Sequence, residues 1–509
     1  MKLDLLIKSL KRRDLYIPDG FGNLDITSIC HDSRRATPTS IFVCRKGSAF
    51  DGHTFAIGAY SNGARVFIVE HDIDVPKENS VIVTVDSCEE ALTRLSRKFF
   101  DAPEDKMQLI GITGTKGKTT LALSLYTLLN ENGIGCGYIG TNGVLFANEE
   151  YQTPNTTPDT YELHKYLRKM LDAGITSCVI EVSSQALWQN RVRGLKFKNC
   201  IFTNLYSDHI GGCEHPTMEH YKSCKRKLFT SYGAEAIIVN LDSPESEYMT
   251  HGACTDNIIT TSAAGNENAD IYAKNPRIAK NGVIPGVKFD LYFNNDKFDL
   301  EPKLNLFIPT PGLFSIENTL EVIAEALVLG LPIKKVLQRL STLQVAGRFE
   351  FMKFKQKSGV LFCIDYAHNG ESLKKVLTSL RQYASGRIIC LFGSVGGRTF
   401  GRRAELGEVA ATFSDISIIT SDNPNFEPPM NIIDEIAKQF DGSDKPYYKV
   451  EKREDAIKLA YNIAKRGDIV LLAGKGHENY QLISGERIPF SEKEILQNII
   501  LETEYSPVL

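Results

Sequence analysis

Met107-Gln108-Leu109-Ile110-Gly111-Ile112-Thr113 runs directly into Gly114-Thr115-Lys116-Gly117-Lys118-Thr119-Thr120, and a helical run follows. An apolar segment of strand length, a glycine-rich loop and a helix form a unit suited to phosphate. The glycines let the backbone approach closely, so its N–H groups and the helix N-terminus cradle phosphate oxygens. Lys118 is placed to neutralise the β/γ-phosphates and the Thr119 hydroxyl to ligate Mg²⁺. The full G-x-x-x-x-G-K-T spacing is not met, because Ile112 stands five positions before Gly117 and only the shorter G-x-x-G-K-T-T is present. The competing reading is a glycine-rich turn that happens to hold lysine, and the strand before and helix after weigh against it.

Outward from this loop the alternation continues. Short apolar strands recur at TSCVIEV (176–182), KNCIFTNL (198–205) and EAIIVNLD (235–242), separated by helical runs. That pattern predicts a parallel sheet with crossover helices. A second series follows VAGRFE (345–350), with GVLFCIDYA (359–367), the strand from Arg387 to Gly393, DISIIT (415–420) and DIVLLAG (468–474). Before the loop lie the short strands IFVC (41–44) and ARVFIVE (64–70), the turn Asp51-Gly52-His53 and the linker-like DAPEDK (101–106). The expectation is an α/β protein of three domains: residues 1–105, a central doubly wound P-loop-type sheet over 106–345, and a C-terminal Rossmann-like sheet over 346–509. In such sheets ligands sit beyond the carboxyl ends of the strands, so strand-end loops are the places to look for chemistry.

Composition narrows the class. With 509 residues there is room for about two to four domains, and 42% hydrophobic with 24% charged residues is an ordinary globular balance. The net charge of −3 gives no basic field for nucleic acid or anionic membrane. MKLDLLIKSLKRRD lacks a secretion h-region, and no apolar run reaches the length of a spanning helix. The eleven cysteines form no CxxC or His/Cys motif and read as reduced thiols of a cytoplasmic protein.

Two further strand ends carry chemistry. TSCVIE ends in Glu181-Val182-Ser183-Ser184, where a carboxylate can hold Mg²⁺ directly or through water; a solvated loop acid is the bland alternative. KNCIFTNL leads to Asp208-His209, with Tyr221 and Lys225 downstream. Taken singly, His209 and Lys225 would be a structural histidine and a surface lysine. Their order after a phosphate loop and an acidic strand end raises them.

GTKGKTT, NTTPDT, EVSSQAL, FTNLYSDH, Y-x-x-x-K-x-x-L-F, VAGRFE, IDYAH, SDNPNFEPP and GKGHENYQ occur in the order of the Mur ligases, and the chain resembles that family over almost its whole length. Its N-terminal HDSRRATPTSIFVCRKGSAFDGHTF resembles the UDP-binding domain of the MurE type, which adds the third peptide residue. The resemblance implies an ATP-dependent ligase of peptidoglycan synthesis. ATP phosphorylates the carboxylate of a UDP-N-acetylmuramoyl dipeptide, and the incoming amine attacks the acyl phosphate. It assigns ATP to Gly114, Thr115, Lys116, Gly117, Lys118, Thr119 and Thr120, together with Asn318, Arg348 and Asp365. Magnesium falls to Thr119, Glu181, His209 and a carbamylated Lys225; Lys118, Glu181, His209 and Lys225 carry the catalysis. The family's F-N-x-x-N reads here Phe314-Ser315-Ile316-Glu317-Asn318, so one expected asparagine is serine.

By the same resemblance Ser33, Asn155, Thr156, Thr157, Ser183, Gln189 and Arg191 meet the UDP-substrate. Arg398, Asp422, Asn423, Pro424, Asn425, Glu427, Gly474 and Glu478 surround the incoming amino acid. Relatives that use meso-diaminopimelate usually read D-N-P-R, with the arginine gripping the distal carboxylate. Asn425 cannot neutralise a carboxylate, whereas Glu427 and Glu478 suit an ammonium, so L-lysine is the favoured substrate. Meso-diaminopimelate is the alternative, through another arginine such as Arg402 or Arg403. A monomer without nucleic-acid or membrane partners is expected. Folylpolyglutamate or cyanophycin synthetase relatives are disfavoured by the N-terminal stretch, and a degenerate nucleotide-binding scaffold by the intact Lys118, Glu181, His209 and Lys225.

Overall fold

The computed structural model describes residues 1–47, 50–206, 210–211, 214–294, 297–352, 359–397 and 400–505. Two compact units divide the chain: residues 1–261 with 324–331, and residues 262–323 with 332–509.

The first unit contains two sheets. The N-terminal one orders its strands Arg12–Tyr16, Val81–Val85, Val66–Val69, Ser40–Val43 and Ser28–Cys30, all neighbours parallel except the first pair. Ser87 caps the following helix Cys88–Phe99, its hydroxyl accepting from the Glu90 N–H at 3.2 Å. In the second sheet six parallel strands run in the order Ile258–Ser262, Ala236–Asn240, Asn199–Phe202, Gln108–Thr113, Ser177–Glu181 and Cys136–Gly140. Gly143–Phe146 and Glu149–Tyr151 extend it antiparallel. Every residue of Ser177–Glu181 and Asn199–Phe202 is buried, as strands covered on both faces require. Register places Glu181 beside Ile112 and Phe202 beside Thr113. The phosphate loop and the two other chemistry-bearing strand ends therefore leave the sheet together.

The second unit holds an antiparallel meander, Ile271–Asn281, Ile284–Phe293 and Lys303–Ile308. Its main sheet is six-stranded, in the order Glu350–Met352, Leu361–Asp365, Ile469–Ala473, Ile388–Phe392, Ile416–Thr420 and Tyr447–Val450, parallel after the first strand. Alternate residues serve opposite faces: Cys363, Cys390 and Leu471 join one apolar cluster, Phe362, Leu391 and Leu472 the other. The expected doubly wound α/β architecture is what forms. Among the described residues no helix is long and apolar enough to cross a membrane.

Candidate nucleotide and amino-acid sites

The loop after Gln108–Thr113 takes the conformation its glycines allow. Gly114 has φ +153°, and a Cβ there would fall 2.0 Å from the Thr203 hydroxyl, so only glycine lets the two strand ends meet. Gly117 has φ +89° and starts the helix Lys118–Glu131. The helix's first-turn N–H groups lie outside its own hydrogen-bond ladder, which makes the loop an anion cradle. Lys118 Nζ donates to the carbonyls of Gly114 at 2.9 Å and Thr115 at 3.1 Å. Asn204, at the end of the neighbouring strand, fixes the loop from outside: its Oδ1 accepts from the Lys116 N–H at 2.9 Å and its carbonyl from the Thr115 N–H at 2.9 Å.

Glu181 is fully buried. One oxygen accepts from the Thr119 hydroxyl at 2.9 Å; the other accepts from the Tyr138 hydroxyl at 2.5 Å and the Thr141 N–H at 3.0 Å. The adjacent Thr119 hydroxyl and Glu181 carboxylate form a hard-oxygen pair beside the phosphate loop, the donor type Mg²⁺ takes. Tyr138 and Thr141 aim the carboxylate, and sequence reasoning missed both. No spacing relates them to Glu181; only sheet pairing does.

Lys225, on the helix Met218–Thr230, is 1% exposed. Its Nζ donates to the Gly114 carbonyl at 2.8 Å and lies 4.6 Å from the centre of the Tyr221 ring. The expectation of a surface lysine for such a residue taken alone fails here. It is a buried amine touching the phosphate loop. His209 and Arg398 lie outside the described residues. His215 instead comes to the strand end, its Nε2 2.8 Å from the Ser184 hydroxyl and its Nδ1 2.9 Å from His220 Nδ1.

Of the residues expected to meet the UDP-substrate, Thr157, Ser183, Gln189 and Arg191 form one group. The Thr157 hydroxyl donates to the Glu181 carbonyl at 2.7 Å and accepts from the Ser183 N–H at 3.0 Å. Arg191 donates to the Thr157 carbonyl at 2.9 Å and twice to the Gln189 side chain, at 2.7 and 3.0 Å. Burial lowers the Arg191 pKa, and Arg45 adds to that. Thr156 meets Thr141 through their hydroxyls at 3.2 Å. Asn155 is exposed, and Ser33 sits in the N-terminal sheet's layer, its carbonyl accepting from Asn62.

In the second unit the loops after four parallel strands enclose a cavity of about 480 Å³. Asp422, Asn423, Asn425, Gly474 and Glu478 line it; Pro424 and Glu427 do not. Gly474, at φ +109°, would place a Cβ 2.9 Å from Asp422, so the two loops need glycine there to close. Lys475, fully buried, joins them: its Nζ meets Glu478 at 2.6 Å, Asn423 at 2.9 Å and Asp422 at 3.7 Å. Glu427 is engaged by Arg403, which is 1% exposed, in a bidentate pair at 2.7 and 2.8 Å, and its pKa is lowered by that contact. Asp365, in the same unit, accepts from the N–H groups of Phe349 and Ala367, each at 2.9 Å, and burial raises its pKa against the pull of Arg348. The Arg348 guanidinium lies 4.9 Å from the Tyr366 ring centre. Asn318 lies in the helix Phe314–Val328.

Three family patterns match: the Mur ligase family catalytic domain over residues 25–100, the Mur ligase middle domain over 112–326 and the Mur ligase glutamate ligase domain over 347–476. The UDP-N-acetylmuramoyl-L-alanyl-D-glutamate–2,6-diaminopimelate ligase of Clostridium botulinum is 35% identical over 99% of this chain and 100% of its own. The corresponding ligase of Clostridium acetobutylicum is 36% identical over 94% and 96%. A solved structure of a ligase of that name superposes with TM-score 0.65 at 26% identity, covering 99% of this chain and all of its own. The MurF ligase of Thermotoga maritima in complex with ADP shares the fold, with TM-score 0.54 at 20% identity over 94% of this chain and 98% of its own.

These relatives are named for 2,6-diaminopimelate, which favours the alternative expectation over L-lysine. The structure supplies a physical reason. Glu427, one of the two acids expected to hold a side-chain ammonium, is already neutralised by Arg403, and Glu478 by Lys475. Full-length identity, three consecutive family patterns and the loop–carboxylate geometry place the chain in the Mur ligase family, the ATP- and Mg²⁺-dependent amino-acid ligases of peptidoglycan synthesis.

Proposed function

We propose that the chain joins 2,6-diaminopimelate to UDP-N-acetylmuramoyl-L-alanyl-D-glutamate, forming an amide bond as ATP becomes ADP and phosphate. The observation that carries this reading is the second unit's cavity: its acids Asp422 and Glu478 both face Lys475, while Arg402 and Arg487 in its lining are available for carboxylates. The loop Gly114–Thr120 binds the ATP phosphates, and Lys118 leaves the loop carbonyls to neutralise them. Thr119, Glu181 and His209 would hold Mg²⁺, whose charge would screen the substrate carboxylate from the γ-phosphoryl group. The product of that transfer is an acyl phosphate and ADP; the amino acid's amine then attacks the acyl carbon and phosphate leaves. Thr157, Ser183, Gln189 and Arg191 orient the UDP-dipeptide, with Ser33, Asn155 and Thr156.

Asn318, Arg348 and Asp365 contact the nucleotide, and Asp422, Asn423, Asn425, Gly474 and Glu478 shape the amino-acid pocket. Functionally the chain comprises the UDP-substrate domain 1–105, the ATP domain 106–345 and the amino-acid domain 346–509, acting as a cytoplasmic monomer. Lys225 is carbamylated: the buried ammonium against the Gly114 carbonyl loses two protons to solvent as its nitrogen bonds one CO₂, and the resulting anionic carbamate would be a magnesium ligand. A carbamate resonance from ¹³C-bicarbonate that persists in Lys225→Arg would remove this assignment.

The test of the ligase reading is phosphate release with the UDP-dipeptide, ATP and either amino acid. Diaminopimelate should be used at least about tenfold better than L-lysine, the scale of one charge-assisted contact. Lysine used tenfold better would sink the substrate assignment, and no release with either amino acid would sink the ligase.

A further inference from the structure

Among the described residues two arginines, Arg402 and Arg487, line the second unit's cavity, and the neighbouring cations Arg403 and Lys475 are already committed. Arg403 is locked to Glu427 and reaches Glu435 at 2.6 Å; Lys475 is locked to Glu478 and Asn423. Among the described residues Arg402 and Arg487 have no carboxylate within ion-pair distance, and both line the cavity. Diaminopimelate differs from lysine by one distal carboxylate, and each of these two is placed to meet it.

Asn425 decides which. It has φ +54°, a left-handed conformation asparagine tolerates better than most residues. Its N–H donates to the Leu482 carbonyl at 2.9 Å, its carbonyl accepts from the Ser484 N–H at 2.7 Å, and its Oδ1 accepts from the Gly485 N–H at 3.1 Å. The side chain is thus committed to pinning the hairpin Tyr480–Ile483/Glu486–Pro489 against the loop, beside the cavity. That hairpin carries Arg487 opposite Leu482, itself a lining residue. The Arg487 guanidinium lies 4.6 Å from the centre of the Tyr480 ring, also in the lining. A ring face restricts the planar group while its N–H edges stay open to a carboxylate in bidentate fashion.

We propose that Arg487 is the specificity-determining residue that holds the distal carboxylate of diaminopimelate, delivered to the pocket by the hairpin that Asn425 pins. The assignment rests on the diaminopimelate reading above. Arg402, on the helix Phe400–Phe413, then serves the amino-acid end that diaminopimelate and lysine share.

The experiment is the ratio of kcat/KM for diaminopimelate to that for L-lysine in wild type, Arg487→Gln, Arg487→Lys and Arg402→Gln, at saturating ATP and UDP-dipeptide. Arg487→Gln should lower the ratio about ten- to a hundredfold, mainly through KM for diaminopimelate. Arg487→Lys should recover only part of it, since the charge returns without the fork. Arg402→Gln should lower both numbers together and leave the ratio near its starting value. An Arg487→Gln enzyme whose two efficiencies fall equally, or not at all, overturns the assignment, as does a ratio that collapses in Arg402→Gln instead. A wild-type ratio below one fails the functional reading itself, whatever the variants do.

Discussion

The phosphate loop of the first unit and the cavity of the second both sit at the carboxyl ends of parallel strands, yet they hold their acids by different means. Around the loop, Glu181 accepts from three hydroxyls and an N–H. Around the cavity, acids are met by cations: Lys475 by Glu478, Arg403 by Glu427 and Glu435. Dipoles leave the Glu181 charge to act on a cation or ligand. Ion pairs spend such charge, so the cavity's selectivity falls to the few charged groups outside them. The loop is built to act on charge; the cavity is built to choose a shape.

The contrast can be broken most decisively at Lys118. If the loop's charge acts on phosphates, Lys118→Ala should lose at least about a hundredfold in kcat while its thermal midpoint stays near wild type, since no apolar core is disturbed. Phosphate release within a few-fold of wild type from a folded variant would remove the loop's role.

A smaller effect lies beneath the loop-bearing sheet, where the same habit of holding an acid with a neutral partner recurs. Glu325 is fully buried, one oxygen accepting from Asn199 Nδ2 at 2.7 Å, and burial raises its pKa to about 8. The folded chain keeps this proton where the unfolded one releases it. Its contribution to stability is therefore complete below the unfolded carboxyl's range and is lost as pH rises toward about 8. Glu325→Gln keeps the shape without the titration. The wild-type-minus-variant stability should fall between about pH 5 and 8, by at most ~1.4 kcal/mol per pH unit. Urea transitions at several pH values read it, and parallel pH profiles would show that Glu325 ionises normally.

The smallest effect sharpens the cavity side. Asn425→Ala places a Cβ residue without a local side-chain acceptor at φ +54° and should cost about 1–2 kcal/mol, read as a shift in urea midpoint at constant slope. Asn425→Gly should cost less, because glycine accepts the backbone angle and loses only the bond to Gly485. Equal losses would mean that the side-chain bond, not the angle, pins the hairpin.

By itself the sequence determined the alternation of strand and helix, the phosphate loop, the acidic strand end and the resemblance to the Mur ligases. Each of these is written in contiguous residues whose spacing is set by local geometry: a period of two in strands, glycine where φ turns positive, a threonine one residue after the loop lysine. The sequence also places Asn425 where an arginine is usual, and that substitution alone points to L-lysine, against the names of the relatives. Tertiary structure decided that Lys225 is buried against the loop, that Tyr138 and Thr141 aim Glu181, and that Glu427 already belongs to Arg403. It also brought Arg487, 62 residues beyond Asn425, to the same cavity. Which charge is spent and which remains depends on partners that strand order brings together across tens or hundreds of residues, and no local spacing encodes that pairing.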